Sequence, residues 1–365
     1  MKLIEISDYL ESIAPLAYQE SYDNAGLIVG NASSEVKKAL ICLDSTEEIV
    51  DEAISKGCNL IIAHHPIVFG GGLKRLNGKN YVERTIIKAI KNDISIYAVH
   101  TNLDNIDGGV SAAICKKIGL TGCKILLPKE NLLRKLFTFC PVDKAGAVRK
   151  ALFAAGCGAI GGYDECSFNV EGTGTFRGSE STNPYVGEKG KQHHEKEIKI
   201  ETIYPAHLER DILSALFNAH PYEEVAYDIV SLENKHARVG AGMIGDVKKE
   251  ENEKTFLNRV KKIMQTGCIR HTKLLDRKVK RVAVCGGAGS FLLSEAIANE
   301  ADVFITSDFR YHQFFDAENK IVIADIGHYE SERATKELLY EILNKRFPKF
   351  ALSLSEINTN PVNYL

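Results

Sequence analysis

Two adjacent histidines, His64 and His65, close an apolar run at residues 59–63, and imidazoles at the end of a buried strand are suited to metal chemistry. Neighbouring side chains on an extended chain point to opposite sides, so one ion would not take both rings, while two adjacent ions could take one each. A second polar cluster, His100-Thr101-Asn102-Leu103-Asp104, follows the apolar run at 94–99. Asp104 offers a hard oxygen that suits Zn, Mn, Fe or Mg when mixed with imidazole, and His100 could be a ligand or a neighbouring donor. A third cluster holds His328 and Glu332, four apart and therefore on one face of a helix. Asp308 and His312 repeat that spacing as weaker candidates, for substrate or for support of a ligand.

Read singly, each signal has a plainer meaning. The histidine pair could be hydrogen-bonded loop residues, Asp104 the N-cap of the next helix, and Glu332 a first-turn glutamate favoured by the helix dipole. Read together, His64, His65, Asp104, His328 and Glu332 fall at the same edge of one expected sheet. Five such groups could hold two ions roughly 3.5–4 Å apart, bridged by a carboxylate or a water. Ions so held acidify water, and a nearby imidazole, His100 or His312, could move the proton.

The elements that must position these groups alternate in the first third. Strands are expected at 38–44, 59–64 and 94–100. Helices are expected from a Ser45 or Thr46 cap to residue 56, at about 84–91, and at about 110–118. The last third resumes the rhythm with strands at 281–285, 302–306 and 321–325, a helix running to residue 299 and another at about 331–345. This βα alternation predicts an α/β fold with mostly parallel sheets and ligands at the strands' C-terminal ends. Gly286-Gly287-Ala288-Gly289-Ser290 reads either as a tight strand-to-helix turn or as a phosphate cradle, and no Walker A lysine accompanies it.

The middle has a different order. A strand at 136–141, a helix at 145–155, a glycine-punctuated hairpin at 166–180, a strand at 196–204, a helix at 208–219 and a strand at 225–231 make a ferredoxin-like α+β pattern. The organisation expected is therefore 1–126 and 246–365 as one discontinuous domain, interrupted by an insert at 127–245. The insert's His193, His194, His207 and His220 read as solvated side chains.

With 46 Lys and Arg against 48 Asp and Glu, the net charge of -2 argues against a nucleic-acid partner, which needs a basic face. Nine scattered cysteines with no C-x-x-C pair fit a reducing compartment. Residues 1–10 lack a signal-peptide pattern, and no run of about 18 apolar residues occurs, so the expected location is cytoplasmic with no membrane partner.

These motifs, in this order, resemble the NIF3-like family, the GTP cyclohydrolase 1 type 2 homologues. The resemblance rests on Tyr22-Asp23-Asn24-Ala25-Gly26-Leu27, Ala63-His64-His65-Pro66, His100-Thr101-Asn102-Leu103-Asp104, the 286–290 glycines, and Gly327-His328-Tyr329 with Glu332. Tyr22 stands where the family has Trp, and Ser307 where Gly is common. The resemblance implies His64 and Asp104 on one ion, His65 and His328 on the other, and Glu332 bridging. The two divalent ions per chain would be Zn, with Mn or Fe as alternatives. It further implies a PII- or CutA-like insert, as in the longer bacterial members, and a toroidal homohexamer with the sites facing its cavity. The reaction implied is metal-dependent hydrolysis of a nucleotide, GTP by the family's label. The alternative is a non-enzymatic hexamer that stores, delivers or senses metal.

Overall fold

Three short runs with few exposed side chains, Lys38–Cys42, Leu60–Ala63 and Ser95–Ala98, lie parallel at the centre of a five-stranded sheet. Such runs are apolar on both faces because helices cover the sheet. Gly26–Val29 joins one edge antiparallel, and Ala351–Leu354 joins the other parallel to Lys38–Cys42. Thr46 caps the helix Glu47–Ser55 by accepting from the Ile49 N–H, and Asn80 caps Tyr81–Lys91 in the same way. The C-terminal strand is held from behind by a buried carboxylate. Glu52 accepts from Ser355 Oγ at 2.6 Å, from the Glu356 N–H at 2.9 Å and from Lys56 Nζ at 2.8 Å.

The computed structural model describes residues 1–70 and 72–365. A second sheet of six strands accompanies the first, where sequence reasoning placed the ligands on one. Val322–Asp325, Val303–Ser307 and Lys278–Ala288 are parallel, whereas Gly240–Asn252 pairs antiparallel with both Lys278–Ala288 and Leu120–Pro128, and Arg270–His271 pairs antiparallel with Val322–Asp325. This sheet is thus mixed rather than mostly parallel. The helix Glu253–Met264, absent from the sequence reading, packs Phe256, Leu257, Val260 and Met264 into its core. The expected long helix at 331–345 is two, His328–Glu332 and Thr335–Arg346.

The chain divides into Met1–Pro128 with Arg238–Leu365, and Lys129–Ala237. The expected insert limits of 127 and 245 are corrected because Gly240–Asn252 pairs with Leu120–Pro128 in the core sheet, Met243 opposite Ile125. The insertion thus opens between two hydrogen-bonded neighbours. The inserted unit has the order βαββαβ, with an antiparallel sheet in the order Phe168–Phe176, His193–Pro205, Leu133–Pro141, Tyr227–Leu232. The expected hairpin at 166–180 is instead the single strand Phe168–Phe176, whose partner His193–Pro205 lies beyond a long loop. Helices Ala145–Ala154 and Glu209–Ala219 supply Val148, Leu152, Ile212 and Leu216 to the insert's own core.

All nine cysteines are free thiols. Among the described residues no helix is long and apolar enough to cross a membrane.

Removing the Glu52 carboxylate leaves the Ser355 and Glu356 donors without their acceptor, so Glu52→Ala should cost about 1–3 kcal/mol in a denaturant melt. Burial opposes ionisation of Glu52, yet its donors outweigh that and hold it below the usual 4.5. Its contribution should therefore be complete above about pH 4.5 and fade as pH falls below that value, which melts at several pH values would read.

Candidate metal centre

Each candidate ligand sits just past the C-terminal end of a parallel strand. Leu60–Ala63 delivers His64 and His65, Ser95–Ala98 delivers His100 and the short helix Thr101–Asp104, and Val322–Asp325 delivers the helix His328–Glu332. The first two strands belong to one sheet and the third to the other, so the site forms where two sets of strand ends meet. His64, His65 and His100 make one donor group, and two others contain Glu332, His64 with Asp104 and Glu332, and His65 with His328 and Glu332. Within each, the ligand atoms lie within 4.8 Å of one another. Glu332 is common to the latter two and only 3 % exposed.

The tautomer of His64 is set by geometry. Its Nδ1 lies 2.8 Å from the Val99 carbonyl, which can only accept, so Nδ1 carries the proton and Nε2 presents a lone pair. That lone pair faces Asp104 Oδ1 at 3.7 Å and Glu332 Oε1 at 3.8 Å, beyond hydrogen-bond range. His64 is 0 % exposed, and both its Nε2 and Asp104 Oδ1 are buried without any hydrogen-bond partner. Buried polar atoms normally find partners. Three electron-rich atoms converging without a donor fit a divalent cation, and a nitrogen–oxygen donor set suits a transition ion.

The second half of the site is closed by charge. His65 Nε2 is 2.9 Å from Glu332 Oε2, and His328 Nε2 is 3.0 Å from the same oxygen. Their other nitrogens meet carboxylates, His65 Nδ1 with Asp44 at 2.7 Å and His328 Nδ1 with Asp308 at 2.6 Å. Burial works against charge on both rings, but these carboxylates prevail and push His65 up to about 9 and His328 up to about 11. Burial also disfavours the Glu332 anion, yet contacts with His328 and His65 hold it well below the usual range. Asp104 goes the other way: burial, with Glu332 beside it, raises it. Protons held on His65 and His328 are ones that a bound cation would displace.

The backbone makes room for this cluster at Gly287, where φ is +62° and an added Cβ would fall on Glu332 Oε1. The Gly287 N–H also donates to Ser331 Oγ at 3.0 Å. The glycine run is therefore the end of the strand Lys278–Ala288, folded against the ligand helix.

His100 lies beside the pair, its ring centroid 5.3 Å from that of His64 and 5.4 Å from that of His65. Its Nδ1 is 2.7 Å from Asp23 Oδ1, and Asp23 is itself fixed by the N–H and hydroxyl of Thr101. Burial opposes the Asp23 anion, but His100 and Thr101 outweigh it and bring it down to about 2. His312 is not brought to the site. It sits in an exposed 3-10 turn stacked against Phe315 and is not among the residues lining the cavity. In the insert, His220 is buried rather than solvated, its Nε2 2.9 Å from the Phe139 carbonyl and its Nδ1 accepting from the Tyr222 N–H. Sequence reasoning missed Asp44 as the partner of His65 and gave Asp23 no role, although both follow or face strand ends.

The centre opens into a cavity of about 860 Å³ walled by Tyr22, Phe69, Phe291 and Tyr364. Seven carboxylates line it, from Glu20, Asp44, Asp104, Asp308, Asp325, Glu330 and Glu332. Arg270 is the one Lys or Arg among its described lining residues and is engaged by Asp325.

A family profile described as Duf34/NIF3 (NGG1p interacting factor 3) matches residues 1–361. The chain belongs to the DUF34/NIF3 family. A Bacillus subtilis protein named GTP cyclohydrolase 1 type 2 homolog is 36% identical over 367 residues, covering 99% of this chain and 98% of its own. A Staphylococcus aureus relative of the same name is 33% identical over 371 residues, with 100% of both chains covered. Among solved structures, a Bacillus cereus protein related to NIF3 aligns with a TM-score of 0.86 and 38% identity, over 100% of this chain and 99% of that one.

In this DUF34/NIF3 centre the outer carboxylates orient the rings. Asp44→Ala and Asp308→Ala should each weaken metal affinity on the order of 10- to 100-fold while leaving the melting temperature nearly unchanged, as read by competition with a chelating dye.

Proposed function

We propose that this protein is a metal-dependent hydrolase acting on a nucleotide, with GTP as the substrate its relatives' name suggests. The observation that carries the reading is the buried, partnerless convergence of His64 Nε2 and Asp104 Oδ1 on Glu332, beside a cavity large enough for a nucleoside. His64, Asp104 and Glu332 would hold one divalent ion, and His65, His328 and Glu332 the other. Zinc is the expected ion, and Mn and Fe suit the same donors. Ions there would acidify water near neutral pH and polarise the bond under attack.

The side chains do the rest. Asp23 accepts from His100 Nδ1 and so leaves Nε2 unprotonated, and burial keeps the ring neutral, so His100 can take a proton from water at the cavity floor. Tyr22 and Phe69 offer flat faces to a purine ring. In a cyclohydrolase reaction one water opens the imidazole ring of guanine and a second releases C8 as formate.

A second reading, a protein that stores, delivers or senses metal, is favoured by the acidic cavity. Its lining offers one guanidinium, already paired, to a triphosphate, and seven carboxylates to cations. By family resemblance we include assembly into a toroidal homohexamer with the centres facing its cavity.

The test compares wild type, Glu332→Ala and His100→Gln for metal content and for formate released from GTP, with light scattering reporting six chains. Wild type should carry metal and release formate. Glu332→Ala should lose both, and His100→Gln should keep its metal while losing about 100-fold or more in turnover. Metal without formate in wild type, together with fast metal exchange, would sink the hydrolase in favour of metal handling.

A further inference from the structure

The insert has a cavity of its own, about 580 Å³, lined by its residues alone. Helices cover one face of the insert sheet, and the cavity lies on the other. There Lys199 stands opposite Phe139 and Val170, and Glu197 opposite Gly172. Glu197 is only 8 % exposed, although it lines the cavity. Its Oε1 accepts from Tyr222 OH at 2.8 Å. Its Oε2 lodges over Gly174, where an added Cβ would fall on it. Among the described residues no cation pairs with this carboxylate. Lys199 and Arg177 are the basic side chains among the lining residues, and Lys199 is turned to Glu201 Oε1 at 2.8 Å and over the Phe137 ring at 4.6 Å.

Aromatic rings surround the unpaired acid. Tyr222 lies 6.2 Å from both Phe176 and Tyr185, centroid to centroid. A carboxylate this deeply buried is costly without an opposite charge, and aromatic faces attract cations. Gly172 adds an open floor, for a Cβ there would meet nothing within 4 Å. The volume is that of an ordinary small-molecule site.

We propose that this cavity is a second binding site, for a small organic cation. An alkylammonium or guanidinium N–H donates to Glu197 Oε2, and the apolar body lies against Tyr222, Tyr185 and Phe176. The site is independent of the metal centre's chemistry, and the proposal stands whether or not the core is a hydrolase.

Calorimetric titration of the full-length protein tests it, with phenethylamine and agmatine as cationic probes. Phenethyl alcohol and phenylacetate serve as neutral and anionic probes with a related body. At least one cation should bind saturably, and the alcohol and the acid about tenfold more weakly or not at all. Glu197→Gln should weaken the cation about tenfold or more, the size expected for one charge-assisted hydrogen bond. Gly172→Val, which fills the open floor and keeps the Glu197 carboxylate, should block binding at an unchanged melting temperature, so a folding defect in the first variant cannot decide the matter. No saturable binding by either cation, equal binding of amine and alcohol, or full affinity in Glu197→Gln would overturn the proposal.

Discussion

The core is arranged around one electrostatic problem, three electron-rich atoms turned on one another out of water. His64 Nε2, Asp104 Oδ1 and Glu332 Oε1 lie under 4 Å apart across the His64 contacts, with no donor between them. The backbone enforces this, because Val99 O engages His64 Nδ1 and turns Nε2 inward. Rings and carboxylates behind the cluster then hold it still. Asp44, Asp308 and Asp23 each take one nitrogen of His65, His328 and His100, which sets orientation and leaves the opposite nitrogen facing inward. Ring and carboxylate positions fixed before any ion arrives are what a tight, selective site requires.

Two sheets are needed to make that geometry. Parallel strands place all their C-terminal ends on one edge, and the ends of Leu60–Ala63 and Ser95–Ala98 approach those of Val303–Ser307 and Val322–Asp325. The glycine at 287 lets the strand beside them pass close enough for Glu332 to reach across. Because the insert opens between two paired strands of the core sheet, Leu120–Pro128 and Gly240–Asn252, it can be present without disturbing the strand ends that carry the candidate ligands.

Much of this was legible in the residues. Apolar runs ending in His64-His65 and His100 announced strands whose ends carry chemistry, and the His328/Glu332 spacing announced a shared helix face. What stayed hidden depended on partners distant in sequence. Asp44 is an unremarkable acid after a strand until His65 comes 2.7 Å from it. The second sheet was obscured because Gly240–Asn252 and Leu120–Pro128 carry charged and glycine residues on their exposed faces, so neither shows a continuous apolar run. The helix Glu253–Met264 hid behind its lysines, although Phe256, Val260 and Met264 keep a four-residue spacing. His312 misled because its four-residue spacing from Asp308 counts only if the two share one α-helix. Asp308 instead has a positive φ and precedes a separate 3-10 turn.

The measurement that bears most directly on the centre is anomalous diffraction at the zinc edge, from crystals of protein purified without an affinity tag. The account predicts two peaks roughly 3.5–4 Å apart, one touching His64 and Asp104, the other His65 and His328, with Glu332 reaching both. A map with no peak there even after soaking in zinc, with His64 Nε2 and Asp104 closed into a direct hydrogen bond, would contradict it.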